Sequence, residues 1–288
     1  MPKYTPFTSS NIIKSKGNSI IFSTDNAIVM GILNITDDSF YDGGKYVNEG
    51  DIIAQTTKML DEGASIIDIG AQSSRPGATQ ISSDQELQKL LPIIKLLKNS
   101  FPKIIISIDT FWANTAKEVV IARADIINDI SAGEMDNHMF DTIASLQVPY
   151  IMMHMQGTPL NMQKNPVYEN VTQEVKTFFE KKIEILKSKG VSQIVIDPGF
   201  GFGKTIKHNY ELLNNLQEFK LLGFPVLIGA SRKSMIYNLL DSSPQEALNG
   251  TSVINSMALQ NGADILRVHD VKEATECIKI STFAKNNC

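Results

Sequence analysis

Cysteine is nearly absent from this chain: its 288 residues include only Cys277 and Cys288, both close to the C-terminal end. Two cysteines so placed imply no disulfide framework and suit a reducing compartment, so a cytoplasmic location is expected. Long apolar runs are missing too; none approaches the ~18 residues that a membrane span needs. Met1 to Ser10 is polar and lacks the apolar core and basic flank of a signal peptide. No lysine or arginine stripe stands out, and 27 basic against 31 acidic residues leave a net charge of −4. Duplex nucleic acid is therefore not an expected partner. No Pro/Ser-rich linker or internal repeat divides the chain, so one main domain is expected.

What the chain does contain is eight short, almost unbroken Val/Ile/Leu/Met runs: Ala27 to Leu33, Ser65 to Ile69, Ile104 to Ile108, Asp125 to Ile127, Pro149 to Met153, Gln193 to Ile196, Pro225 to Ile228 and Asp264 to Val268. Strands that read apolar on both faces belong in a parallel sheet covered by helices. Between them lie stretches of helical periodicity. They include Gln55, Met59 and Leu60 before Gly63, Leu87 through Leu97, Val175 through Leu186 before Gly190, and Val253, Ile254, Met257 and Ala258 before Gly262. Eight alternating strands and helices predict an α/β chain forming a single (β/α)8 barrel of the TIM type rather than an open doubly wound sheet. Residues 1–26 are expected to be an N-terminal extension, a β-hairpin capping the barrel, and residues 27–288 the barrel itself.

Each run carries a polar residue at or just past its end (Asn34, Asp68, Asp109, Asn128–Asp129, His154, Asp197, Ser231–Arg232–Lys233 and Arg267–His269), which is how a parallel barrel aims many strand ends at one site. After the first strand, Asn34, Asp38 and Asp42 lie in a loop that closes on two glycines, and their oxygens suit a hard cation such as Mg²⁺. The plain alternative is a turn whose Asp38 and Ser39 satisfy the backbone. In the second loop Arg75 stands between hydroxyl residues and a rigid Pro-Gly turn, suited to a cluster of anionic oxygens. An ordinary surface charge fits the same composition. Asp109, Asn128 and Asp197 are short polar side chains suited jointly to a heterocycle that offers N–H donors beside a carbonyl. Taken singly, each also reads as a helix cap or loop anchor.

Pro198 to Thr205 resembles a nucleotide-binding P-loop but has Pro198 where that motif needs its first glycine. Lys204 therefore reads as a salt-bridge partner or a helix start. Gly229-Ala-Ser-Arg-Lys-Ser234 opens a helix whose free N–H groups, with Ser231, Lys233 and Ser234, suit a carboxylate or phosphate. Capping by a serine, with Arg232 solvated or paired, is the alternative. Alternation sends Arg267 and His269 to one side of the last strand, a basic pair fit to cradle a diphosphate. His154 reads as structural.

In order along residues 27 to 271 stand Gly31-Ile-Leu-Asn-Ile-Thr with Asp38-Ser-Phe and Asp42-Gly-Gly, Ser74-Arg-Pro-Gly-Ala, Ser107-Ile-Asp-Thr and Asn128-Asp-Ile. They are followed by Met153-His-Met-Gln-Gly, Asp197-Pro-Gly-Phe-Gly-Phe-Gly-Lys, Ser231-Arg-Lys-Ser and Arg267-Val-His-Asp. As a set these motifs resemble the dihydropteroate synthase family. The resemblance implies condensation of 6-hydroxymethyl-7,8-dihydropterin diphosphate with p-aminobenzoate, a Mg²⁺ requirement, a homodimer built on late barrel helices, and action as a sulfonamide target. It assigns pterin binding to Asp109, Asn128, Asp197, Lys233 and Arg267, and diphosphate to Asn34, Arg75, Arg267 and His269. It assigns the p-aminobenzoate pocket to Ser74, Arg75, Pro76, Phe202 and Ser234, and the metal to Asn34 and Asp42. Asn34, Arg75, Lys233, Arg267 and His269 are the catalytic set it implies.

Three positions depart from the family pattern: Asp37 for proline, Gln72 for glutamate and Ser74 for threonine. Ser74 keeps the hydroxyl and loses a methyl wall, which is expected to alter sulfonamide affinity. The rival readings are a pterin-binding methyltransferase domain, which has no need of Ser74-Arg-Pro-Gly-Ala or Ser231-Arg-Lys-Ser, and a catalytically inactive pterin-binding paralogue. Intact Asn34, Lys233, Arg267 and His269 argue against the second.

Overall fold

The computed structural model describes residues 11–15, 18–22, 27–35, 48–72 and 80–287. β1 (Asn11–Ser15) and β2 (Asn18–Phe22) pair antiparallel, Asn11 opposite Phe22 and Ser15 opposite Asn18, the hairpin expected of the extension. The eight apolar runs become β3 (Ile28–Asn34), β4 (Ala64–Gly70), β5 (Ile106–Asp109), β6 (Ile126–Asp129), β7 (Tyr150–Met153), β8 (Ile194–Asp197), β9 (Leu227–Ile228) and β10 (Ile265–Val268). Between and after them run α1 (Glu49–Asp61), α2 (Ser83–Ser100), α3 (Ala113–Ile121), α4 (Met139–Leu146), α5 (Val171–Ser188), α6 (Ile206–Asn214), α7 (Leu216–Lys220), α8 (Ser234–Tyr237), α9 (Leu248–Gln260) and α10 (Val271–Asn286).

The parallel sheet runs in the order β8-β7-β6-β5-β4-β3-β10-β9. A bridge between Ile196 and Val226, with the Ile196 amide donating to the Pro225 carbonyl at 2.9 Å, brings β8 against the start of β9 and closes the ring. The expected barrel is therefore what the sequence builds.

Side-chain parity positions everything that follows. Met30, Ile66, Ile126, Ile151, Val195, Leu227 and Ile265 come from seven strands yet pack on one another, so they fill the barrel interior. The residues two further along each strand face the same interior. These are Ile32, Asp68, Asn128, Met153, Asp197, Gly229 and Arg267, a mostly polar belt over an apolar floor. The opposite strand faces, such as Leu33, Ile67, Ile108 and Val268, join helix residues such as Ile52, Met59, Leu90 and Leu97 in one continuous outer core.

Helix starts follow their caps: Asn48 accepts from the Gly50 amide, Asn170 from that of Gln173, and Ser82 forms a reciprocal capping box with Gln85. At the other end of the barrel, Asp125 and Asp264 pin strand entries. Asp125 accepts from the Ile106 amide at 2.8 Å and from Lys98 at 2.5 Å, and Asp264 accepts from the Val226 amide at 2.7 Å and from Lys220 at 2.5 Å. One helix departs from expectation. Val253, read as part of the apolar stripe of α9, is 52 % exposed, because Gly250, Ile254, Ala258 and Leu259 form the inward face instead. Among the described residues no helix is long and apolar enough to cross a membrane.

Candidate active site

The polar belt converges at the C-terminal mouth of the barrel, where Arg267 is its centre. From β10 its Nε donates to Asp68 Oδ2 on β4 at 2.7 Å and its Nη2 to Asp109 Oδ2 on β5 at 2.9 Å. Asn128, paired in register with Asp109, donates from Nδ2 to the same Asp68 oxygen at 3.2 Å. Two carboxylates thus fix the guanidinium plane, a geometry that a lysine could not adopt.

Burial pushes the Asp109 carboxyl up to about 7, against the opposing pull of Arg267 and with help from the neighbouring Asp68 charge. Asp197, at the end of β8, is likewise raised by burial; it accepts from the Gly199 amide at 2.8 Å. Gly229 lies alongside, where a Cβ would make ordinary contacts of 3.9 Å with Arg267 and Asp197 Oδ2.

Lys233 enters from the start of α8. Its Nζ donates to the Phe200 carbonyl at 2.5 Å and lies 4.4 Å from the Phe202 ring centre. Burial lowers its pKa to about 8, while Asp197 pulls the other way. Gly201 makes this approach possible: it sits at φ +80°, and a Cβ there would stand 3.1 Å from Lys233 Cδ. His269, just past β10, meets Ser231 twice, Nδ1 to Oγ at 3.1 Å and its own amide to Oγ at 3.2 Å. Burial and the nearby Arg267 charge bring it down to about 4, so the ring is neutral at pH 7.

Of the residues singled out from sequence, Asp109, Asn128, Asp197, Lys233, Arg267 and His269 gather in this mouth. Asn34 ends β3 at the same level, half-buried and opposite Gly70. Phe202 is buried against Phe111, Met153 and Met155, and Ser234 is the half-buried first residue of α8. Asp38, Asp42, Ser74, Arg75 and Pro76 lie outside the described residues, as do Asp37 and the loop positions beside them.

Several local roles differ from the sequence reading. Among the described residues Lys204 has no ion-pair partner, and it does not start a helix; Thr205 caps α6 instead. The Lys204 ammonium is buried and donates to the carbonyls of His154, Gly199 and Phe202 at 3.2, 3.0 and 3.0 Å, with His154 Nδ1 at 3.0 Å. Burial lowers Lys204 to about 7 and takes His154 far below its usual range, so His154 serves as a neutral acceptor. The pair ties the Gly199–Phe202 turn to the end of β7. Arg232 is paired, as the capping alternative allowed, through a two-pronged bond to Asp270 at 2.8 and 2.9 Å, but no serine caps α8. Asp68 ended a predicted strand without an assigned role, and Glu86 was not singled out at all; both are buried beside the site.

A pterin-binding enzyme family model matches residues 30–269, the span that holds this whole constellation. The chain is 43 % identical to the dihydropteroate synthase of Haemophilus influenzae over 254 residues, covering 88 % of this chain and 92 % of that one. It is 41 % identical to the Escherichia coli enzyme of the same name, over 88 % and 89 %. This chain belongs to the dihydropteroate synthase family. Solved structures agree on the fold of the family: the Yersinia pestis dihydropteroate synthase with a sulfonamide drug complex superposes with a TM-score of 0.89 at 38 % identity, covering 96 % of this chain and 99 % of that one. The Xanthomonas albilineans dihydropteroate synthase with 4-aminobenzoic acid gives 0.89 at 35 % identity, with the same coverage. In this dihydropteroate synthase family member, three inward carboxylates (Asp68, Asp109 and Asp197) face two cations (Arg267 and Lys233) around one mouth.

Proposed function

We propose that this chain condenses 6-hydroxymethyl-7,8-dihydropterin diphosphate with p-aminobenzoate, giving 7,8-dihydropteroate and diphosphate, as a step of folate biosynthesis. The observation that carries the reading is the Arg267 bridge to Asp68 and Asp109, set beside Asn128, Asp197 and Lys233 within a chain of this family.

Asp109, Asn128 and Asp197 would take the ring N–H and amino groups of the pterin, while Lys233 turns from the Phe200 carbonyl to the ring system and Arg267 lies along it. Burial, which holds the Asp109 carboxyl up near 7, has already stripped it of water, so in its ionised form it meets the ring N–H as an acceptor that has no hydration left to lose. The electron-rich pterin stabilises positive charge at its methylene carbon as diphosphate departs, so the protein's work is to stabilise the leaving group and exclude water. Arg267, His269, Asn34 and Arg75 would hold that diphosphate. His269 is neutral before the anion arrives, and an anion beside it raises its pKa, so it can then donate a hydrogen bond as the charge develops. Ser74, Arg75, Pro76, Phe202 and Ser234 would shape the p-aminobenzoate pocket.

Among the described residues no three His, Cys, Asp or Glu side chains group as a metal site. Mg²⁺ does not require such a group, since it takes one or two protein oxygens and completes its shell with water and phosphate. Asn34, at the rim, fits that donor set, with Asp42 as the second ligand. When bound, the ion would neutralise charge on the leaving diphosphate.

The extension of residues 1–26 is proposed to cap the barrel, and the chain is proposed to work in the cytoplasm as a homodimer. Exposed Val253 on α9 and exposed Ile280 and Phe283, one turn apart on α10, support a face between copies. Isothermal calorimetry tests the functional reading. The pterin diphosphate should bind alone with Mg²⁺, and p-aminobenzoate should bind only once pterin and diphosphate are present. Full p-aminobenzoate affinity for the empty protein would rule out this order.

A further inference from the structure

Beneath Asp109 lies a crevice lined by Gln72, Glu86, Asp109, Thr110, Phe111 and Ile130. Its volume is about 10 Å³, close to what a single water requires. Glu86 reaches it from the first turn of α2 and is fully buried on a helix face that continues through Leu90, Ile93, Ile94 and Leu97 to the buried Lys98 at its far end. One carboxyl oxygen accepts from Thr110 Oγ1 at 2.6 Å. The other, Oε1, has no hydrogen-bond partner among the described residues. The adjacent Thr115 hydroxyl, 3.0 Å from Ser83 Oγ, also stands close enough to the Glu86 carboxyl to favour its charged form. On the far side of the crevice, Asp109 Oδ2 is taken by Arg267, while Oδ1 accepts nothing from the described residues.

Resting on the functional reading above, we propose that Glu86 is a positioning residue for pterin binding, holding the Asp109 carboxylate through one water in this crevice. An acid placed in a mostly apolar helix face forfeits its hydration, and the hydroxyls of Thr110 and Thr115 do not restore it, since burial still prevails. A water with room for two further bonds completes both carboxyls at once. Burial raises Glu86 to about 7, so near neutral pH its proton is available to point into the crevice while Thr110 donates to the other oxygen. The water then donates to Asp109 Oδ1. With Arg267 on Oδ2, the carboxylate of Asp109 is fixed from both sides before the heterocycle arrives. That preorganisation is what a loosely held carboxylate at a loop end would lack.

Calorimetric titration with the pterin diphosphate, on wild type, Glu86→Gln and Glu86→Leu, decides the matter, with thermal melts confirming that each is folded. Glutamine keeps an acceptor for Thr110 and a donor toward the crevice, so its pterin Kd should stay within about threefold of wild type. Leucine has neither and should weaken pterin binding about tenfold, the net worth of one hydrogen bond to a charged group. The KM for p-aminobenzoate at saturating pterin diphosphate should not move. A folded Glu86→Leu protein with wild-type pterin affinity overturns the proposal, as does an equal loss in both variants. If Glu86→Leu does not fold, Thr110→Val removes the bond that aims Glu86 and should weaken pterin binding several-fold; unchanged affinity there overturns it equally. Wild type that binds no pterin would instead sink the functional reading, before Glu86 comes into question.

Discussion

Replacing Asp68 with asparagine probes the centre of the site while leaving its shape alone. Asp68 is fully buried, accepts the 2.7 Å bond from Arg267 Nε and the 3.2 Å bond from Asn128, and keeps Oδ1 unpartnered among the described residues. Asparagine preserves one acceptor for Arg267 but removes the charge that strengthens the bond and places a donor where nothing accepts it. A charge-assisted hydrogen bond contributes about 1.5–3 kcal/mol. The variant should therefore lose about 2 kcal/mol, which for a chain of this size lowers Tm by about 3 °C.

The effect on Asp109 has a definite sign. Asp68 is a like charge that holds the Asp109 pKa up, whereas Arg267 holds it down. With Asp68 neutral, the first influence disappears and Arg267 has one carboxylate left to pair. Both changes lower the Asp109 pKa from about 7 toward the ordinary carboxylate range. If ionised Asp109 is what binds the pterin, affinity in wild type fades as pH falls through about 7, and in Asp68→Asn it should persist to more acidic pH. The assay is pterin Kd against pH for the two proteins, beside their melting curves. An acid limb that stays in place, or moves upward, would refute the coupling of Asp68, Arg267 and Asp109.

Other perturbations separate the parts of the site. Gly201→Ala combines a φ of +80° with a Cβ 3.1 Å from Lys233, so Lys233 must move; pterin KM should rise about tenfold with kcat changed less, as steady-state kinetics will report. Lys204→Met strips three carbonyls and His154 of their buried donor, with an expected cost of about 3 kcal/mol in chemical denaturation and a weakened grip on p-aminobenzoate through the displaced Phe202 turn. Asp109→Ala should mainly weaken pterin binding, and Arg75→Ala should mainly slow turnover; equal losses of both in each variant would contradict that division of roles.

The fold was legible because its signals are local. Eight runs of Val, Ile, Leu and Met, separated by capped helices, leave little freedom once strands read apolar on both faces. The mouth residues were legible for the same reason: parity alone carries Asp68, Asn128, Asp197 and Arg267 to the interior once the strands are placed. Their partners were not. The bond from Arg267 to Asp68 joins positions 199 residues apart, and nothing in either neighbourhood announces it. Glu86 follows a Ser-Ser-Asp-Gln helix start and reads as an ordinary first-turn acid; only the barrel puts Thr110 and Asp109 against it. Lys204 carries the look of a phosphate-binding lysine, and its carbonyl cage comes from a turn and a strand end that meet only in the fold. Val253 shows the limit of periodicity, which finds an apolar stripe but not which part of it faces the barrel.

The central claim is tested most directly by turnover: purified protein with Mg²⁺, 6-hydroxymethyl-7,8-dihydropterin diphosphate and p-aminobenzoate, with dihydropteroate and diphosphate followed together. The account predicts equal amounts of the two products, formation that requires p-aminobenzoate, and loss of pterin saturation in Asp109→Ala. Pterin binding with no product, or diphosphate release indifferent to p-aminobenzoate, would contradict it.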